Sequence, residues 1–521
     1  MPLDNGVRQP TPGFTRLPSV SVFSAGSQLS AARRRSTRVV EYMQHQARPL
    51  SAGGVRQSMI TLTQTAFGGG ILTLAYGLKQ SGLWLGMAFI LLAAVVSYIG
   101  MDVMMRGAFQ LQTFSTGGLM AKCLGKRSGV LLDLLIFLQG LGMVVIYLQL
   151  LGGLLPDLLQ PLLAPGHHAD DLRDPVAQRL RDGCILVIAL LAFPLSIPRK
   201  LSALRYVSLA ALGAIFFTVG TVVVKCSSTA KEKGLLTLVE AVPGVASDFK
   251  AIETFTLLLF AYNCHMNVVP VAAEMMNPTD RRIIKVNLRV IAVEVISYVL
   301  ISVCGYLTFA DRTQSNLLQN YSNIGVEGFV ADICRLLLSC TLLCGIPVQL
   351  NPAMRSLMHI ADNVLAARNG ALNEPFFAEG MLPSPSTDPL LPLPSPLSPG
   401  LIPSPSSPRG EGCAEAPECR KQVVVEAGCD WTRLAVILLV LCFTTYVAIA
   451  MPNVATAVKF LGAMNGIGLM LTLPLVVLFS MGLKVFTRFG LIIRAGFLGV
   501  ALVMTLTATC SMMISCSGGS C

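Results

Sequence analysis

Apolar stretches long enough to cross a hydrocarbon core recur along most of the chain, and no other feature constrains its fold so tightly. A crossing helix needs about 20 such residues. The runs fall at 58–79, 82–104, 128–155, 183–199, 203–225, 252–273, 285–310, 328–352, 431–451, 455–482 and 489–513. Inside lipid no water satisfies a backbone N–H or C=O, so continuous apolar runs of this length must be helices. Charged residues make up 13% of the 521, against about 25% in a soluble domain. The sequence therefore predicts an all-α polytopic protein with about 11 transmembrane helices embedded in a lipid bilayer.

Charge sets the orientation. With the N-terminus inside, 27 of the 39 Lys and Arg fall on the inner side and nine on the outer. That asymmetry follows the positive-inside rule, so the net charge of +11 needs no nucleic-acid partner. The first residues, MPLDNGVRQPTPGFTRLPSV, contain no apolar core for a signal peptidase to follow, which leaves insertion to the first helix. Three segments lie outside the membrane: a basic, largely disordered cytosolic segment 1–57, an inner loop 358–430, and a short outer tail 514–521. The loop carries ten Pro between 383 and 408 and five Ser-Pro steps, a composition that cannot bury a core. It reads as a tether, with a phosphorylated regulatory segment as the alternative. Most of the 15 Cys sit within apolar runs and form no CxxC or zinc spacing, so no metal or cofactor is expected. Cys184 and Cys226 fall at helix ends on one side, where a bridge could form.

Two spans are interrupted. The first contains Gln64-Thr65-Ala66-Phe67-Gly68-Gly69-Gly70-Ile71-Leu72, and each Gly disfavours helix by about 1 kcal/mol relative to Ala. An opened backbone here would expose amides able to grip a carboxylate. Close helix packing is the plainer use of such glycines. The sixth span reads Phe260-Ala261-Tyr262-Asn263-Cys264-His265-Met266-Asn267-Val268-Val269-Pro270, with polar residues and a Pro near its middle. Interruptions at matching positions in two five-helix halves point to an inverted-repeat transporter with a site near the midplane.

These segments also resemble a known family. FAYNCHMNVVPVAAEMMNPTDRRIIKVNLRVIAV with ISVCGYLTFADRTQSNLLQNYS, PLSIPRKLSALRYVS (194–208), QTAFGGGILTLAYGLKQSG and FLGAMNGIGLMLTLPLVV (460–477) are similar to the amino acid/auxin permease superfamily. The likeness is to its sodium-coupled neutral amino acid transporters and vacuolar relatives, over residues 57–513. It implies a LeuT-like fold of five plus five inverted helices and an eleventh outside the repeat. It also implies an amino acid held by the opened first helix at Thr65, Ala66, Phe67, Gly68, Gly69 and Gly70. The opened sixth helix, at Phe260, Ala261, Tyr262, Asn263 and Cys264, would complete the pocket, with Tyr147 and Asn465 as further partners.

Coupling candidates are Gln64, His265, Glu294 and Thr341. Sodium-coupled relatives carry an Asn where Gln64 stands, and a Thr closer to the Pro than Thr341 is to Pro347, which favours proton-linked or sodium-independent transport. His265, whose class ordinarily titrates near about 6.5, is a proton switch or a structural hydrogen bond. Asp332 and Arg335 share a helical face and should pair. No Walker motif, catalytic pair or filter loop is present, so an ATP-driven pump, an intramembrane enzyme and a channel are not expected. The alternatives are a sodium symporter and a transporter-like sensor signalling through its cytosolic segments. Plasma membrane and vacuolar or lysosome-like membrane both fit.

Overall fold

A helix that carries three glycines at its centre does not stay continuous. In the computed structural model, which describes residues 53–163, 175–198, 205–245, 250–321, 325–368, 431–450, 454–482 and 487–517, the first span is split. Helix α1 (Val55–Ala66) ends at Phe67, a tight 3-10 turn covers Gly69–Thr73, and α2 (Leu74–Ser81) continues. A tight hairpin follows at Gly82, whose φ of +84° ends α2 and starts α3 (Leu83–Gln110). A Cβ there would lie 2.8 Å from the Val245 Cα, so close approach as well as φ requires glycine.

Next come α4 (Thr116–Leu124), α5 (Lys126–Leu163), α6 (Pro175–Leu195), α7 (Arg205–Lys233) and α8 (Leu235–Glu240). The sixth span is again two helices, α9 (Lys250–Ala261) and α10 (His265–Glu274). Beyond it lie α11 (Asp280–Phe309), α12 (Gly325–Arg368), α13 (Trp431–Ala450), α14 (Val454–Asn465), α15 (Leu473–Met481) and α16 (Arg488–Ser517). Every regular element among the described residues is helical. Nine segments there are long and apolar enough to span a membrane. Of the other two expected spans, the first corresponds to the broken α1–α2 pair and the fourth to α6.

Two helix boundaries and one cysteine reading illustrate where the structure departs from the sequence. Helix α6 starts at Pro175 rather than near 183, because Pro is favourable in a first helical turn. Helix α12 runs to Arg368, past the expected loop start at 358, since the Ala- and Leu-containing stretch after Met358 favours helix once it has left the apolar core. Cys184 and Cys226 are free thiols, and Cys226 neighbours Cys304 of α11. Most of 1–57 and of the 358–430 loop, and the last four residues, lie outside the described residues.

The packing is that of a membrane bundle. Large apolar side chains such as Leu190, Leu439 and Phe479 point outward, while His265, Asn287 and Glu294 are fully buried. The expected Asp332–Arg335 pair forms at 2.7 Å, and the buried Arg335 also faces Asp157 at 3.8 Å.

At the side assigned to the cytosol, Asp102 of α3 is bonded by Arg106 at 3.0 Å and by Arg494 of α16 at 2.9 Å. Arg106 reaches on to Asp280, at the start of α11, at 2.8 Å. Ends of α3, α11 and α16 meet there. The Asp102 side chain is 1% exposed, while those of Arg106 and Arg494 are 15% and 23% exposed. Removing the carboxylate leaves two cations that recruit water only in part. Asp102→Ala should therefore cost about 3 kcal/mol, read as a lower melting temperature in detergent. Unchanged melting would mean that the network contributes nothing net.

Candidate functional site

The two breaks face each other. A Cβ on Gly70 would lie 3.2 Å from the Ala261 Cα and 3.4 Å from the Phe260 ring, so the first span approaches the end of α9 at backbone distance. In the sixth span the chain opens at Tyr262, Asn263 and Cys264, whereas Pro270 sits inside α10. Short-range bonds replace the helical ladder at both places. The Gly68 N–H donates to Ala66 at 2.7 Å, and the Cys264 N–H donates to Tyr262 at 2.9 Å. Each break thus sets a helix C-terminus, rich in carbonyls, beside a helix N-terminus, rich in N–H groups. A zwitterion complements that pairing.

Side chains from four further helices converge here. Tyr147 of α5 lies over the first break: a Cβ on Gly68 would fall 2.3 Å from its hydroxyl. Its ring fits against α12 because position 345 is glycine, where a Cβ would be 2.8 Å away. Asn465, the last residue of α14, donates to Asn263 Oδ1 at 2.8 Å. Directly after it, Gly466–Thr472 widens into a π-helical segment, a feature frequent at functional sites. Thr65, Ala66, Phe67 and Gly68 of the first break, and Phe260 through Cys264 of the sixth, are all buried. Gly69 opens the 3-10 turn.

Three residues at this place were not read from the sequence. Tyr298 of α11 donates its hydroxyl to Ala261 O at 2.6 Å. Its ring centroid lies 5.4 Å from that of Phe67 and 5.0 Å from that of Tyr262, bracing both breaks. Its signal was available, since it follows Glu294 by one helical turn. Gln349 of α12 donates to Thr65 O at 3.4 Å and to the Tyr147 hydroxyl at 3.2 Å. Asn267 of α10 donates to Thr65 Oγ1 at 3.2 Å and to Val348 O at 3.4 Å.

The coupling candidates separate into two groups. Glu294 is fully buried, acts electrostatically on Tyr262, Cys264 and Tyr298, and has no hydrogen-bond partner for either carboxyl oxygen among the described residues. His265 begins α10 with its ring against α3, where a Cβ on Gly100 would fall 2.7 Å from Nε2. Gln64 and Thr341 instead turn toward α7. Gln64 Oε1 accepts from the Ser208 hydroxyl at 3.3 Å. Thr341 donates to Leu337 O at 2.9 Å and lies 3.5 Å from Ala211 O. Among the described residues no cluster of His, Cys, Asp and Glu could hold a metal ion.

Comparison with known proteins agrees with this architecture. Residues 51–516 match the family model described as transmembrane amino acid transporter protein. The chain is 27% identical to AAT1 of Toxoplasma gondii over 65% of its own length and 45% of that protein's. It is 25% identical to vacuolar amino acid transporter 6 of Saccharomyces cerevisiae, over 62% of this chain and 71% of the yeast one. Amino acid transporter AVT6E of Arabidopsis thaliana is 27% identical over 53% of this chain and 56% of its own length. The chain therefore matches less than half of the Toxoplasma relative. Among solved structures, MhsT in complex with L-phenylalanine superposes with a TM-score of 0.52 at 10% identity, over 87% of this chain and 98% of that one. That likeness is of fold, and it is the LeuT-like fold.

Proposed function

The chain belongs to the transmembrane amino acid transporter protein family, and from that premise we propose that it is a secondary active transporter moving amino acids by alternating access around its paired helix breaks. The observation that carries this reading is the backbone-distance approach of Gly70 to Ala261, which sets two opened helices against one another. The substrate carboxylate meets N–H groups that begin the 3-10 turn at Gly69 and Gly70, and the Tyr147 hydroxyl beside Gly68 can add a donor. The substrate ammonium meets carbonyls that end α1 and α9, around Ala66, Phe67 and Ala261. Asn263 and Asn465 close one side of the pocket.

Transport is proton-linked or sodium-independent. Glu294 is the group that carries the proton if one moves, since a buried ionisable residue in a membrane helix commonly marks an ion path. His265 is the second candidate. The bilayer is a plasma membrane or a vacuole- or lysosome-like one, with the N-terminal segment and the 369–430 stretch on its cytosolic side.

Reconstitution of the purified chain into proteoliposomes tests this. Labelled amino acids should accumulate inside when an ion gradient is imposed, and accumulation should collapse when an ionophore dissipates it. Binding of amino acids with no flux under any gradient would instead make the protein a sensor.

A further inference from the structure

Two amide side chains next to the first break are oriented without ambiguity. An amide's oxygen and nitrogen are normally told apart only by their partners. Here the partners decide. Gln349 faces Thr65 O and Asn267 faces Val348 O, and a carbonyl oxygen can only accept, so the NH2 end of each amide must point to it.

Both carbonyls are available for a physical reason. Thr65 O has lost its helical donor because the residue four positions on, Gly69, lies beyond the break. Val348 O has none because the residue four positions on is Pro352, which lacks an N–H. The second hydrogen of each amide is also engaged, by the Tyr147 hydroxyl for Gln349 and by Thr65 Oγ1 for Asn267. What is left over is the oxygen of each. Gln349 Oε1 and Asn267 Oδ1 are buried and have no hydrogen-bond partner among the described residues. Unsatisfied buried acceptors are costly, and two attached to one Thr65 point to a donor that arrives with the substrate.

We propose that Gln349 and Asn267 form an accepting wall of the substrate site that selects uncharged amino acids whose side chains carry a hydroxyl or carboxamide donor over their apolar isosteres. This rests on the reading of the paired breaks as an amino acid site. The groups bonded around the two amides are a threonine hydroxyl, a phenol and backbone carbonyls. They offer an incoming side chain acceptors and no countercharge, which disfavours cationic side chains. An apolar side chain of the same shape leaves both oxygens unpaired, and a pocket built to hydrogen-bond discriminates strongly against such an analogue.

Threonine and valine, which differ by a hydroxyl in place of a methyl, provide the test. In wild-type proteoliposomes, threonine should compete against a labelled transported amino acid at least about tenfold better than valine. Glutamine should likewise outcompete methionine. Gln349→Met should bring the threonine-to-valine competition ratio toward one. Should that variant fail to fold, Asn267→Leu and the wild-type isostere ratios still decide. Equal competition by threonine and valine, or preference for glutamate, would overturn the proposal and leave the amino acid site standing. Failure of every amino acid to compete or be taken up by wild type would overturn the site reading and the proposal with it.

Discussion

Gly68→Val should reduce amino acid uptake roughly a hundredfold while the protein is still inserted in the membrane. The added Cβ would lie 2.3 Å from the Tyr147 hydroxyl, 3.1 Å from its Cζ and 3.2 Å from Cε1. Tyr147 cannot retreat, because its other edge rests on α12 at Gly345, within 2.8 Å of where a Cβ would stand. Overpacking of this kind costs typically 1–3 kcal/mol, and here it falls on the contact between the first break and α5. A second pair of variants separates packing from binding. Gly68→Ala combined with Tyr147→Phe removes the atom struck first, so thermal stability should return toward wild type. Flux should stay low, since the hydroxyl that faces the break has gone. Full recovery of uptake in the double variant would reduce Gly68 and Tyr147 to packing partners. Gly213→Ala in α7 serves as a control, because nothing lies within 4 Å of its Cβ position, and it should transport normally.

How far the sequence foretold this site depends on the range of the interaction. The first break is a local property: three consecutive glycines weaken the helix whatever surrounds them, and the chain opens there. The sixth break was visible as a polar run, but its position was legible only in part. Pro270 is accommodated within α10, and the opening lies upstream at Tyr262 to Cys264. Gln349 gave a weaker signal. A single Gln between Pro347 and Pro352 looks like any polar residue near a kink until the distant Thr65 carbonyl is placed beside it. The Asp102–Arg494 pair joins residues 392 positions apart, and no periodicity within either helix could announce it. Contacts set by which helices become neighbours escape local reading.

Replacing sodium with choline should leave most uptake intact, and an imposed proton gradient should drive accumulation that Glu294→Gln abolishes. Hard cations need several oxygen ligands at nearly fixed distance. Gln64 meets α7 with its Oε1 already accepting from the Ser208 hydroxyl, and Thr341 gives its proton to the Leu337 carbonyl. No carboxylate is among those contacts, so a sodium ion there would have to displace hydrogen bonds and gain no opposite charge. Glu294 offers the contrast: a buried carboxyl with both oxygens unpartnered among the described residues, one turn from Tyr298 and within electrostatic reach of the sixth break. A proton exchanged there would travel with the substrate. One pH unit corresponds to 1.36 kcal/mol per proton, so a single coupled proton limits accumulation to about tenfold per unit of gradient. Glu294→Gln keeps the shape and a hydrogen-bonding end but cannot release a proton at neutral pH. Its gradient-driven accumulation should vanish while exchange of labelled for unlabelled amino acid at equal pH continues. Accumulation that persists in Glu294→Gln, with exchange intact, would move the coupling role to His265. Near-total loss of wild-type uptake in choline would instead show that Gln64, Ser208 and Thr341 hold sodium against α7.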